Sequence, residues 1–278
     1  MREKSLKGLK IGIIGVGMVG RALQQYFEKK GIKPLLYDSG KNLGSPEKIN
    51  QADIIFICVP TPFNKEKNYF DLSYLEDAFS KIQGKKIVVI KSTTLPGTTE
   101  SLQQKYPQHK ILCNPEFLTE ATADQDMCYP DRQILGYTKK SYNVAGDILQ
   151  ILPLALFEKI LPATEAEMAK YFGNTWFSTK VIFANQIYDL CQKLGINYDR
   201  VMEAAAADKR IGRTHLEVWH KGKRGYAGKC LPKDIKALIR FADEHGIDLK
   251  LHKIVEEINN QLMKEQGIED AEKFSKRD

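Results

Sequence analysis

No run of about 18 consecutive apolar residues occurs in this chain, so the sequence offers no membrane-spanning helix. The first ten residues, Met1–Lys10, are basic. The apolar stretch after them contains a glycine motif, which makes a signal peptide a poor reading. Cysteine is scarce and odd in number: Cys58, Cys113, Cys128, Cys191 and Cys230 are widely spaced. That pattern excludes a disulfide framework and fits a reducing, cytoplasmic protein. Cys58 and Cys113 lie in apolar runs, where cysteine acts as a small hydrophobe. No repeat period is visible, no metal site suggests itself, and no nucleic-acid motif accompanies the basic residues.

The 278 residues are 42% hydrophobic, enough for one large or two ordinary packed domains. The net charge of +7 favours anionic partners. Its densest patch, Lys221-Gly-Lys-Arg-Gly225, reads equally well as a solvated surface or as a contact for a small anionic substrate.

Strand-like apolar runs recur at Lys10–Gly15, Pro34–Asp38, Ile54–Val59, Lys86–Ser92, Lys110–Asn114 and Arg132–Tyr137. Continuous runs of this kind mark strands covered on both faces. Helical spacing occupies Met18–Lys30, with Gly31 as its C-terminal cap, and Asp71 is placed to cap a helix through Ile82. This alternation predicts a doubly wound parallel sheet over residues 1–162. From residue 163 to 278 the pattern becomes all-helical. Thr164-Glu-Ala-Glu167 reads as a capping box opening a long helix to Leu194, closed by Gly195. Further helices are expected at Tyr198–Ala207, Asp234–His245 and Leu251–Lys264, and the charged end, Glu269–Asp278, is expected to fray.

Gly15-Val-Gly-Met-Val-Gly20 lies between a strand and a helix. Gly15 suits the tight turn, Gly17 lets a pyrophosphate approach the backbone, and Gly20 lets helix and strand pack closely. The helix N-terminus then offers free N–H groups to phosphates. Asp38 ends the second strand, where a carboxylate takes the ribose hydroxyls and repels a 2′-phosphate. The site is read as a Rossmann NAD site. Val59-Pro-Thr-Pro62 follows the third strand, on the ligand side of such a sheet; a proline-stiffened loop is the plainer reading.

The segment Gly225-Tyr-Ala-Gly-Lys-Cys-Leu-Pro-Lys-Asp234 carries reactive side chains. Lys229, Lys233 and a helix N-terminus are placed to lower the Cys230 thiol pKa and make it a nucleophile toward an aldehyde. A cysteine merely packed at a helix start is the competing reading. Asp234 falls one turn on, placed to orient a water or an ammonium.

This block resembles the active-site segment of the UDP-glucose/GDP-mannose dehydrogenase family. Other family segments occur in order: Lys91-Ser-Thr-Thr-Leu-Pro-Gly97, Asn114-Pro-Glu-Phe-Leu-Thr-Glu120, Pro130-Asp-Arg132, Glu167-Met-Ala-Lys-Tyr-Phe-Gly-Asn174 and Asp208-Lys-Arg-Ile-Gly212. The resemblance covers about residues 8–265. It implies NAD-dependent oxidation of a nucleotide sugar's primary alcohol, UDP-glucose above all, to UDP-glucuronate for polysaccharide synthesis. Two hydrides leave in turn, through a thiohemiacetal and a thioester on Cys230. It also implies that Lys170 and Asn174 steady the reacting oxygen, that Asp234 lies beside the reacting water, and that Thr93 and Glu116 serve water activation. For the cofactor it implies Gly15, Val16, Gly17, Met18, Val19, Gly20, Asp38, Pro60, Thr61, Thr93, Glu120 and Lys233. For the substrate it implies Phe117, Leu118, Lys170, Asn174, Arg210, Tyr226, Gly228 and Cys230, with Arg210 reaching a partner subunit. A homodimer built on the long helix follows from the same resemblance.

Two departures from the family pattern stand out. Tyr226-Ala227-Gly228 replaces the family's Phe-Gly-Gly, and Ala227 is strained if its position requires positive φ. The family's third, UDP-binding domain finds no residues here, so another chain supplies it, the sequence is a truncated one, or the protein manages without it. Two other functions compete with the first. One is a dehydrogenase of a smaller hydroxy substrate, which needs no thiol. The other is a non-catalytic NAD-binding or assembly subunit.

Overall fold

The computed structural model describes residues 8–64, 69–220 and 222–272. In chain order the elements are β1 (Ile11–Ile14), α1 (Met18–Lys29), β2 (Leu35–Tyr37), α2 (Pro46–Ile49), β3 (Ile54–Ile57), β4 (Phe63–Asn64), β5 (Tyr69–Phe70), α3 (Ser73–Ser80), β6 (Ile87–Ile90), α4 (Thr98–Lys105), β7 (Lys110–Cys113), α5 (Ala123–Cys128), β8 (Arg132–Tyr137), α6 (Tyr142–Ile151), β9 (Phe157–Pro162), α7 (Ala163–Leu194), α8 (Tyr198–Ala206), α9 (Leu231–Glu244) and α10 (Lys250–Glu265). They form two compact units. The first runs to Asn64 and resumes over Phe70–Lys170, and the second takes Tyr171 onward.

The first unit is a seven-stranded sheet in the order β2-β1-β3-β6-β7-β8-β9. Its centre is made of Ile-Gly-Ile-Ile, Ile-Ile-Phe-Ile and Ile-Val-Val-Ile, β-branched segments that suit a pleated surface. One apolar cluster covers one face through Leu23, Phe27 and Ile148, and a second covers the other through Ile49, Leu75 and Phe79. Helices on both faces make the expected Rossmann unit.

The sheet departs from the expected all-parallel arrangement at one edge. β1, β2, β3, β6 and β7 are parallel, whereas β8 runs antiparallel to β7, with Cys113 opposite Gly136. A parallel neighbour requires a crossover that returns the chain to the strands' amino ends. After β7 the chain stays at the carboxyl ends, in a loop and the short α5, so β8 starts there and runs back. β9 was not foreseen. It pairs with β8 from Arg132↔Phe157 to Tyr137↔Pro162, and its edge position tolerates the terminal proline.

The Thr164–Glu167 capping box does not form. β9 leads directly into α7, which already includes Ala163, so Thr164 lies inside the helix rather than at its cap. Glu167 instead reaches α4. Its carboxylate accepts from the Thr94 hydroxyl at 3.0 Å, Gly97 N at 2.7 Å, and Thr99 N and Oγ1 at 2.9 and 2.6 Å. Burial raises its carboxyl from 4.5 to about 7, against the opposing pull of those hydrogen bonds. Between these two values folding takes up a proton. The stability tied to this group is therefore complete below about 4.5 and is lost as pH rises through 7. Glu167→Gln should flatten that slope. Urea unfolding at a series of pH values is expected to show the variant gaining on the wild type by up to about 3 kcal/mol between acid and neutral pH. Parallel stability curves would refute the assignment.

The second unit is helical. One cluster joins Val181 and Ile182 of α7 to Tyr226, Ile235 of α9 and Val255 of α10. A second joins Ala184 and Cys191 to Tyr198, Met202 and Leu216. Gly195, at φ +66°, ends α7 as expected. α9 begins three residues earlier than expected, at Leu231, because Pro232 fits the first turn of a helix. α3 stops at Ser80 rather than Ile82, and Asp71 accepts from Ser73 N at its start. Within the expected frayed end, Ala271 O accepts from Gly228 N, and Glu272 pairs with Lys236 at 3.0 Å. The remainder, 273–278, lies outside the described residues, as do Lys221 of the basic patch and the first seven residues.

Candidate active site

In the first unit the glycine turn shows which groups demand small residues. A Cβ on Gly15 would lie 2.8 Å from the Cys58 carbonyl, and one on Gly20 only 2.0 Å from Gly15 O. The fold itself requires these two. A Cβ on Gly17 would meet no protein atom within 4 Å, so any demand for glycine there comes from a ligand that approaches the backbone. Gly17 is the N-cap of α1 and makes no side-chain cap hydrogen bond, which leaves the N–H groups of Met18, Val19 and Gly20 directed outward. Asp38, half-buried, accepts from Val16 N at 2.7 Å and Lys41 N at 3.2 Å. These residues fit a dinucleotide: open backbone for the pyrophosphate and a fixed carboxylate for the ribose. Lys41, absent from the sequence reading, donates from Nζ to Val16 O at 2.5 Å. Its spacing three residues after Asp38 was the only signal.

The loops after β3 and β6 are tied together. Thr61, beside Pro60, donates from Oγ1 to Thr93 O at 2.7 Å, and Ser92 donates to Val59 O at 2.7 Å. After β7, Glu116 is buried against Lys170, with Oε1 3.0 Å from Nζ, and its Oε2 accepts from Leu118 N at 2.7 Å. Phe117 lies beneath the Lys170 ammonium, whose Nζ is 5.6 Å from the ring centroid. Glu120 is exposed.

Sequence reasoning missed the support under this pair. Lys91, at 3% exposure, donates to Asn114 Oδ1 at 2.6 Å, and Asn114 donates to Gln133 Oε1 and Ile134 O. Burial lowers the Lys91 pKa, opposed by the neighbouring Cys58 and Glu116, while Lys170 adds to the lowering. A cysteine so buried is no nucleophile: desolvation pushes the Cys58 thiol up to about 12. No sequence pattern marks a lysine as buried, which is why Lys91 stayed hidden inside its motif.

In the second unit, Cys230 is exposed and forms the N-cap of α9, with no side-chain cap hydrogen bond. Asp234, almost wholly buried, accepts from Asn174 Nδ2 at 2.5 Å and pairs with Lys233. Tyr226 is buried, and its backbone N–H and C=O are both held by the Asn259 side chain, at 2.8 and 3.0 Å. Gly228 has φ +90°, whereas Ala227 is not among the residues at positive φ, so alanine carries no strain there. Arg210 is exposed and forks onto Asp208, with a shortest contact of 2.6 Å.

Two family models match the chain: the UDP-glucose/GDP-mannose dehydrogenase family, NAD binding domain, over residues 41–152, and the central domain of the same family over 164–261. The chain belongs to this family. The UDP-glucose 6-dehydrogenase of Rickettsia felis is 34% identical over 227 residues, covering 77% of this chain and 49% of that protein. The UDP-glucose 6-dehydrogenase TuaD of Bacillus subtilis is 32% identical over 270 residues, covering 92% of this chain and 56% of that protein. The solved UDP-glucose dehydrogenase of Pyrobaculum islandicum superposes with a TM-score of 0.80 at 27% identity, over 94% of this chain and 72% of the other. The chain thus spans about half the length of the curated relatives it matches. The matched parts are that family's NAD binding domain and its central domain. Among the described residues no helix is long and apolar enough to cross a membrane, and no cluster of three metal-ligating side chains occurs.

Proposed function

We propose that this chain oxidises the primary alcohol of a nucleotide sugar, UDP-glucose in the first instance, to the carboxylate. The observation that carries the reading is Cys230: an exposed thiol at the head of α9, one turn before a buried carboxylate that holds Asn174 and Lys233. Oxidation to an aldehyde alone needs no thiol.

Bound NAD⁺ supplies the hydride acceptor for both oxidations. In the first, the alcohol loses a hydride and a proton to give the aldehyde, and Lys170 donates to the oxygen as its charge changes. The Cys230 thiolate then adds to the aldehyde carbon, and the oxygen takes a proton to give a thiohemiacetal. Loss of a second hydride and the hydroxyl proton gives a thioester. Water cleaves it to the carboxylate and free thiol, with Glu116, Thr93 and Asp234 serving the water. Overall, one alcohol and one water become one carboxylate, two hydrides and three protons. The test is the ratio of NADH to UDP-glucuronate, with a value of two expected. One NADH from a hydroxy acid would favour the smaller-substrate reading, and NAD binding without any turnover would favour an assembly subunit.

A homodimer is part of this proposal. α7 exposes Phe172, Trp176, Phe183, Leu190 and Leu194, at 73, 54, 60, 54 and 62%. Their spacing places them along one side of the helix. Such a stripe favours a second copy of the chain, and Arg210 would serve that copy's substrate. The double change Trp176→Glu/Phe183→Glu should convert a dimeric mass in light scattering to a monomeric one. A monomeric wild type would refute this.

A further inference from the structure

The motif Pro130-Asp-Arg132 has no role in the chemistry above, yet the structure gives its arginine an unusual setting. Because β8 runs backwards, its first residue, Arg132, lies at the carboxyl ends of the parallel strands, where ligands of open α/β sheets bind. The guanidinium stacks on Phe117, with Cζ 4.0 Å from the ring centroid, and Lys170 Nζ lies over the same ring. Arg132 Nε is buried and has no hydrogen-bond partner among the described residues. Burial lowers the guanidinium's pKa, opposed by Asp131, but an arginine keeps its charge at any physiological pH. A buried, charged donor left without an acceptor is costly, and the cost is offset when a ligand oxygen accepts from it.

The local charges say what kind of oxygen that is. Lys91, Lys170 and Arg132 still outnumber Glu116 and Asp131, so the cluster favours an anion. The guanidinium fork matches a phosphate or a carboxylate. The cofactor's pyrophosphate is too far away to be the source. It belongs at the turn after β1, and β8 is four strands along the sheet, about 19 Å at ~4.8 Å per strand.

We propose that Arg132, seated on Phe117 beside the Lys170–Glu116 pair, binds an oxyanion of the substrate, its phosphate or its product carboxylate. This deepens the nucleotide-sugar reading and rests on it. Calorimetric titration of the full chain with UDP-glucuronate, UDP-glucose and NAD⁺ tests it in the wild type, Arg132→Gln and Arg132→Lys. Arg132→Gln should weaken the sugar nucleotide about 10- to 100-fold. Arg132→Lys, which keeps the charge and loses the fork, should fall between, and unchanged NAD⁺ affinity shows that the unit is folded. Loss for UDP-glucuronate alone assigns the carboxylate, and loss for both sugars assigns the phosphate. Equal loss for NAD⁺, or no loss for either sugar, overturns the proposal. A wild type that binds NAD⁺ but neither sugar nucleotide would overturn the substrate reading first, and this proposal with it.

Discussion

Replacing Cys230 with serine should abolish steady conversion of UDP-glucose while leaving the fold and NAD⁺ binding intact. The residue is exposed at the head of α9, so the change removes no core packing and should alter stability by no more than about 0.5 kcal/mol. A hydroxyl in that position stays protonated near neutral pH, and the aldehyde then waits for a nucleophile that does not form. The turnover rate should fall by at least about 10³-fold, since losing a covalent nucleophile costs up to about 10⁶-fold where the catalytic groups act as a unit. A single-turnover experiment separates the two oxidations. At most one NADH per active site should appear in the variant, against two in the wild type. The remaining thiols make the contrast sharp. Cys113, raised well above its usual range by burial, and Cys58 are core residues whose loss should cost stability and leave the stoichiometry at two. A Cys230→Ser enzyme that still yields two NADH would sink the covalent scheme, and a wild type that never yielded more than one from any substrate would point to simple alcohol oxidation.

The cofactor half of this arrangement was readable because its constraints are local. A run such as Ile54–Ile57, short and rich in β-branched residues, reads as a covered strand, and Gly15, Gly17 and Gly20 must stand close together for the turn to work. What escaped depends on distant partners. The Thr164–Glu167 spacing satisfies a capping rule, yet Glu167 bonds to Thr99, 68 positions away, because a strand runs straight into its helix. β9 alternates exposed and half-buried residues on the edge of the sheet, and Pro162 makes its end look like a break rather than a last rung. Lys91 and Arg132 stood in quoted motifs, but whether a cation is buried or solvated is decided by the strands around it. The same holds for Lys41, whose ammonium meets the glycine turn only because the chain folds back after β2.

Lys170→Met should reduce both stability and turnover, and the two losses can be pulled apart. Glu116 and Lys170 are 9 and 6% exposed, so methionine leaves a carboxylate in the protein interior without its partner. Breaking a buried pair from one side costs about 3–5 kcal/mol. Lys91 remains as a second cation near Glu116, which places the expected loss at the lower end, about 3 kcal/mol. In a chain of this size that corresponds to a fall in melting temperature of roughly 6–12 °C. Turnover should drop by about 10²–10³-fold, the usual effect of removing one donor to a reacting oxygen. The double variant Lys170→Met/Glu116→Leu replaces both charges with apolar groups, and buried pairs so replaced often recover stability. Its melting temperature should therefore rise back toward that of the wild type while its activity stays lost. If activity returned along with stability, Lys170 would be a structural cation and the oxygen would have to be served by another group. If stability never fell, the Glu116–Lys170 contact would carry no weight in the fold, and the chemical role would have to stand on turnover alone.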